Sequence, residues 1–177
     1  MTKWLSHRMV ERGIIKEEEQ ELYQFGIRNG MILLLNVVTA LVIGLLTEQL
    51  AVVAVFTLSF MVLRSYTGGY HSDSRIFCYL GSNLVLLVPV YTQAVFYKTS
   101  LAWLLAVLLV SAGIIFLLSP MHSKNRKLDK EEQKHFGRKA RLIAALELAV
   151  LGILWHAGQI PYAYAVYTGI CITEIGR

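Results

Sequence analysis

His71 and Cys78 stand seven positions apart in a polar stretch that runs from Arg64 to Cys78 and also holds Gly68, Gly69, Asp73 and Arg75. A thiol and an imidazole so placed form a candidate nucleophile and general base. The attacking species is the thiolate, and a free thiol has a pKa of about 8.5, so the site must favour ionisation. His71 is the candidate base. Arg64 and Arg75, and a helix N-terminus expected at residue 76, would stabilise the anion. The competing reading is structural: cysteine is often a small buried hydrophobe, and paired glycines often only make a turn. On one continuous helix the two side chains would share a face about 10 Å apart, too far for proton transfer. A working pair therefore requires a bend within residues 72–75. Gly68 and Gly69 give backbone freedom that can re-aim His71, but they lie upstream and cannot shorten the segment to Cys78.

The elements that must position this pair are apolar. Of the 177 residues, 55% are hydrophobic and 16% charged, and the mean hydropathy is +0.52. Soluble domains carry about a quarter charged residues, and here the apolar residues come in runs. An all-α, polytopic membrane helix bundle in a single domain, residues 1–177, is the expected fold. Cys78 and Cys171 are too few for a disulfide framework, and no zinc-type Cys/His spacing occurs, so neither metal nor organic cofactor is expected. No cleavable signal peptide is expected at the N-terminus.

Residues 2–12 place Trp4, Leu5, Met9 and Val10 among Lys3, His7, Arg8 and Arg12, the pattern of an amphipathic interfacial helix, with Gly13 ending it. Lys16 and four nearby acids open a second helix that runs into a first apolar segment, residues 30–46. Glu48 and Gln49 mark a turn. Further runs cover 51–63, 76–97, 101–118, 140–155 and 161–172. About six spans result; four spans with re-entrant second and sixth segments are the alternative. With a cytoplasmic N-terminus and six spans, only Lys98 of the 17 Lys and Arg falls outside, which satisfies the positive-inside rule. Both termini are then cytoplasmic, and the net charge of +5 points to a lipid surface rather than nucleic acid.

Glu147 is an acid well inside a run, and an intramembrane carboxylate is a functional candidate by default. Asn36, Asn83 or a basic residue at the membrane edge are its expected partners. The basic loop with Lys124, Arg126, Lys127 and Lys130 is expected to set topology on anionic lipid and to attract an acidic peptide. Cys171 is expected to be structural.

Arg64, Gly68-Gly69, His71 and Cys78 between membrane segments resemble the accessory gene regulator B (AgrB) family. Chain length, the acidic-to-apolar helix over 17–46, the Ser119-Pro120 exit and the basic loop after it are similar too. The resemblance implies a membrane cysteine endopeptidase of a Gram-positive-type bacterium that removes the C-terminal part of a quorum-sensing propeptide and cyclises the remainder. It implies that Cys78 is the nucleophile and His71 the base, with Arg64 and Gly69 at motif positions. Arg64 is then expected to bind substrate or tune the thiol. The implied partner is an amphipathic propeptide with an acidic C-terminal part; a homodimer is a further expectation. A small transporter or a scaffold that binds an acidic partner through the basic loop is the rival reading.

Overall fold

The computed structural model describes residues 2–67, 75–119 and 130–173. Among them it contains helices and turns but no strand, and they form two compact units, Met1–Thr39 and Ala40–Arg177.

The first unit opens with α1, Thr2–Glu11, on the residues expected to be amphipathic. Trp4 and Leu5 are exposed, and the Arg8 guanidinium lies 5.0 Å from the Trp4 ring. The helix stops as expected: Gly13, at φ +65°, donates to Val10 O, and Ile14 donates to Met9 O. This is a Schellman C-cap, whose left-handed residue is usually glycine. A 3-10 turn, Glu17–Glu19, then leads without interruption into α2, Gln20–Leu46. The Lys16 amide donates to Glu19 Oε2 at 3.3 Å, which satisfies one of the donors left open at a helix start.

The second unit begins in the last turns of α2. It continues through α3 (Leu50–Thr67), α4 (Arg75–Tyr91), α5 (Gln93–Lys98), α6 (Leu101–Leu118), α7 (Lys130–His156) and α8 (Ile160–Thr173). Glu17–Leu46, Leu50–Thr67 and Leu101–Leu118 are long and apolar enough to cross a membrane, and Tyr79–Tyr91 is a shorter apolar helix. Exposed Leu101, Trp103, Leu109 and Leu117 on α6 suit a lipid-facing surface.

The run over 76–97 is not one helix, as its hydropathy alone suggests, but two. Pro89 lies inside α4 and has no N–H to offer the preceding turn. Three residues on, Thr92 leaves the helix and its hydroxyl lies 2.6 Å from that of Tyr164 on α8.

At the centre lies α8. Ala163, Tyr164, Ala165, Val166, Ile170 and Ile172 are all buried, although the helix has only 14 residues, about 21 Å at 1.5 Å per residue. Contact pairs give the directions of its neighbours. Ser59 and Arg64 of α3 meet Gly169 and Thr173 of α8 in the same order, so these two helices are parallel. Tyr66 and Ser59 of α3 meet Phe136 and Glu147 of α7 in opposite order, so those two are antiparallel. On α6, Leu104 and Ser111 meet Tyr167 and Cys171 of α8 in the same order. This alternation is the one expected of successive spans.

The exit from α2 is the strained exception among three similar caps. Glu48 takes the left-handed position at φ +56°, where Gly13 and Gly158 occupy the others. A side chain there costs roughly 1–2 kcal/mol, so Glu48→Gly is expected to stabilise the fold by about 0.5–1 kcal/mol once the entropy of the unfolded glycine is subtracted. Reversible unfolding in mixed micelles measures this; a lower midpoint for the variant would contradict the strain argument.

Candidate functional site

As far as they are described, α3, α6 and α8 run toward one end of the second unit, and α7 runs away from it. α6 ends there at Leu118, and a helix C-terminus carries partial negative charge and open carbonyls that favour cations. Two arginines answer. Arg64, in the last turn of α3, donates from Nη1 to Thr173 O of α8 at 3.1 Å. Arg141 of α7 donates from Nε to Phe116 O at 3.0 Å, within the final turn of α6. Exposed Lys134, Arg138 and Lys139 add to the charge at this end, while Lys98 belongs to the opposite one.

An aromatic contact joins α3 to α7 here. The Tyr66 and Phe136 rings have centroids 6.4 Å apart, and Lys139 Nζ sits 5.7 Å from the Tyr66 ring centroid. Leu63, Thr67 and Thr173 are fully buried beneath them. The last turn of α3, from which the His71–Cys78 stretch departs, is therefore packed on two sides. α4 also packs on α3, and Cys78 lies in the first turn of α4 as described.

Gly68, Gly69 and His71, and with them the bend expected between His71 and Cys78, lie outside the described residues. So do Lys124, Arg126 and Lys127 and the side chains of Arg75, Cys78 and Lys130. Of the expected site residues, Arg64 is the one whose side-chain geometry is described. Among the described residues no group of three or more His, Cys, Asp and Glu could hold a metal ion.

Glu147 of α7 finds its described partner on α3. Its Oε2 accepts from Ser59 Oγ of α3 at 2.9 Å. Asn36 Oδ1 and Asn83 Oδ1 are buried without a hydrogen-bond partner among the described residues. Ser59 meets α7 on one side and lies against Gly169 of α8 on the other. A Cβ on Gly169 would lie 2.6 Å from Ser59 Oγ and 3.4 Å from the Phe60 backbone nitrogen. Sequence reasoning missed Ser59, Gly169 and the Thr173 carbonyl. The small residues Ala163, Ala165 and Gly169 along the sixth run were the available signal for close helix packing; a backbone carbonyl has none. Cys171 is half-buried on α8, in hydrogen-bonding contact with Ser111 and Tyr167.

Fold and site together define a polytopic, all-helical membrane protein with a basic end from which a His/Cys connection emerges. A profile of the family described as "Accessory gene regulator B" matches residues 1–175, and the chain belongs to that family. The family is involved in accessory gene regulator, or quorum-sensing, processing. Over 148 residues the chain is 23% identical to a "Putative AgrB-like protein" of Clostridium perfringens strain SM101, covering 80% of this chain and 69% of that one. It is 24% identical over 131 residues to "Putative AgrB-like protein 2" of Clostridium perfringens strain 13, covering 71% and 61%. With the "Accessory gene regulator protein B" of Staphylococcus intermedius it shares 26% identity over 150 residues, covering 82% and 77%. No solved structure matches the chain.

The Ser59–Glu147–Gly169 contact can be taken apart by substitution. Ser59→Ala is expected to cost about 1 kcal/mol, within the ~0.6–1.7 kcal/mol measured for interhelical hydrogen bonds in lipid. Glu147→Gln keeps an acceptor for Ser59 and is expected to cost less. Gly169→Val is expected to cost more than either, roughly 1–3 kcal/mol, because backbone and side chain must both shift. Detergent titration of the purified protein ranks the three; wild-type stability for Gly169→Val would refute the close approach of α3 and α8.

Proposed function

We propose that the chain is a membrane-embedded cysteine endopeptidase that cleaves a quorum-sensing propeptide and promotes cyclisation of the product. The observation that carries this reading is the family match over residues 1–175, which includes Arg64, Gly68, Gly69, His71 and Cys78. The names of the relatives agree with it. Cys78 is the nucleophile and His71 the general base. His71 takes the thiol proton, and the thiolate attacks the scissile carbonyl. The amide bond breaks, the protonated imidazole returns the proton to the leaving amine, and an acyl-enzyme thioester remains. A Cys or Ser side chain within the bound peptide then attacks the thioester. The product is a thiolactone or lactone, and the Cys78 thiol is regenerated. Exchange of one thioester for another roughly conserves bond energy, so the cyclisation step itself requires no external energy source. Water has to be kept from the intermediate, and a site at the membrane edge suits that need.

The substrate is an amphipathic propeptide held near the inner leaflet, with an acidic C-terminal part attracted by Lys124, Arg126, Lys127 and Lys130. The protein works in the cell membrane of a Gram-positive-type bacterium with both termini cytoplasmic. The basic end of the second unit supports that orientation, since Arg64, Lys134, Arg138, Lys139 and Arg141 gather there and Lys98 does not.

Co-expression with a propeptide encoded beside the gene tests this. Cys78→Ala is expected to abolish cleavage, and His71→Gln to slow it about 10²-fold or more. Cys171→Ala is expected to leave it unchanged at equal membrane abundance. Full processing by Cys78→Ala would sink the peptidase reading in favour of a transporter or scaffold.

A further inference from the structure

We propose that α7 carries a site for an anionic phospholipid: Lys134, Arg138 and Arg141 hold its phosphate, and its acyl chains lie along the apolar part of the helix beyond them. The inference stands apart from the peptidase reading and uses no residue assigned there to catalysis or to the propeptide.

Spacing brings the three cations together. They stand four and three positions apart on α7, so they line one side of the helix. The other side is spent on the bundle: Phe136 lies against Tyr66, Ala140 and Ala144 are buried, and Glu147 meets Ser59. All three cations are exposed. Among the described residues none of them has a carboxylate partner; the ion pair there is His7–Glu11. Glu131, an exposed acid, stands a turn farther from the apolar part. Arg141 is also held in advance. Its Nε donates to Phe116 O at 3.0 Å, in the final turn of α6. That bond fixes the guanidinium and leaves its terminal nitrogens to a second acceptor, and a planar fork of donors suits phosphate. A cation already immobilised gives up less freedom on binding.

The rest of the helix favours lipid over a peptide. Immediately past Arg141 the exposed side chains turn apolar: Leu142 is 61% exposed, Leu146 57% and Ile153 66%. This stretch closes at Trp155 and His156, both exposed. At 1.5 Å per residue, Trp155 is about 20 Å from Arg141 and about 30 Å from Lys134. A hydrocarbon core is about 30 Å thick, and tryptophan is favoured at its edge. With Trp155 at one interface, Lys134 reaches the opposite headgroups and Arg141 stands short of them. Cations at that depth snorkel or thin the bilayer around them, and both bring lipid phosphate to the stripe. An acidic peptide would have to shed its carboxylate hydration to reach the same place.

The full-length protein in dodecylmaltoside micelles, titrated with phosphatidylglycerol bearing a fluorescent acyl tail, tests this. Phosphatidylglycerol is expected to bind at least about tenfold more tightly than phosphatidylcholine with the same tail. Arg138→Gln is expected to weaken binding about fivefold, and the Lys134→Gln, Arg138→Gln double variant about 25-fold. Arg141→Gln is expected to weaken it about fivefold or more; Arg138 and Lys134, which are exposed, carry the test even if that variant unfolds. Lys98→Gln, at the opposite end, is expected to bind as the wild type does. Equal affinity for the two lipids, or unchanged affinity in the double variant, overturns the proposal. A loss in Lys98→Gln as large as in Arg138→Gln would mark diffuse attraction and overturn it too. Glycerol phosphate and hexaglutamate, each in about 100-fold excess over the lipid, are expected to leave it bound. Displacement by the first would assign the stripe to free phosphate, and by the second to an acidic peptide; either result rejects the lipid site.

Discussion

The burial of α8 is the constraint on which residues 40–177 depend. Lipid tails are as apolar as leucine, so helices in a bilayer gain nothing by merely hiding apolar surface from one another. They gain by close contact and by satisfying polar groups. α8 has only 14 residues, too few for a bilayer core of about 30 Å if it stood alone. Packed against α3, α4, α5, α6 and α7, it becomes the axis of the unit. Gly169 permits that closeness, because the Ser59 hydroxyl already occupies the space a side chain would need.

Interhelical polar contacts follow from the same arrangement. Tyr164 meets Thr92, Tyr167 donates to Leu104 O, and Arg64 donates to Thr173 O. Ser59, pressed against α8 on one side, donates to Glu147 on the other. Each bond involves α8 or the face of α3 that touches it. An unsatisfied polar group is costly in lipid, so these bonds hold the register along the helices while small residues set the separation between them.

Register matters for chemistry because the His71–Cys78 connection hangs between α3 and α4. The described part of α3 before it is held by Arg64 and Leu63 against α8 and by Tyr66 against α7. The proposed acyl transfer needs a nucleophile and a base within hydrogen-bond reach, and a loop aims two groups well only when its ends are rigid. The same end gathers the cations that an acidic peptide would meet.

Much of this was legible in the sequence. Hydropathy runs located the helices, and Gly13 marked the end of the first. The motif from Arg64 to Cys78 pointed to the family. Such signals are local: they report period, turn preference and affinity for lipid, which belong to each segment alone. The break between α4 and α5 was less legible, because it takes Tyr164 from a distant helix as well as Pro89. The partner of Glu147 and the acceptor of Arg64 were not legible at all. Which residue faces which across two helices depends on their rotation and offset, and a backbone carbonyl such as that of Thr173 leaves no mark on residue type. Only the packed bundle decides those pairs.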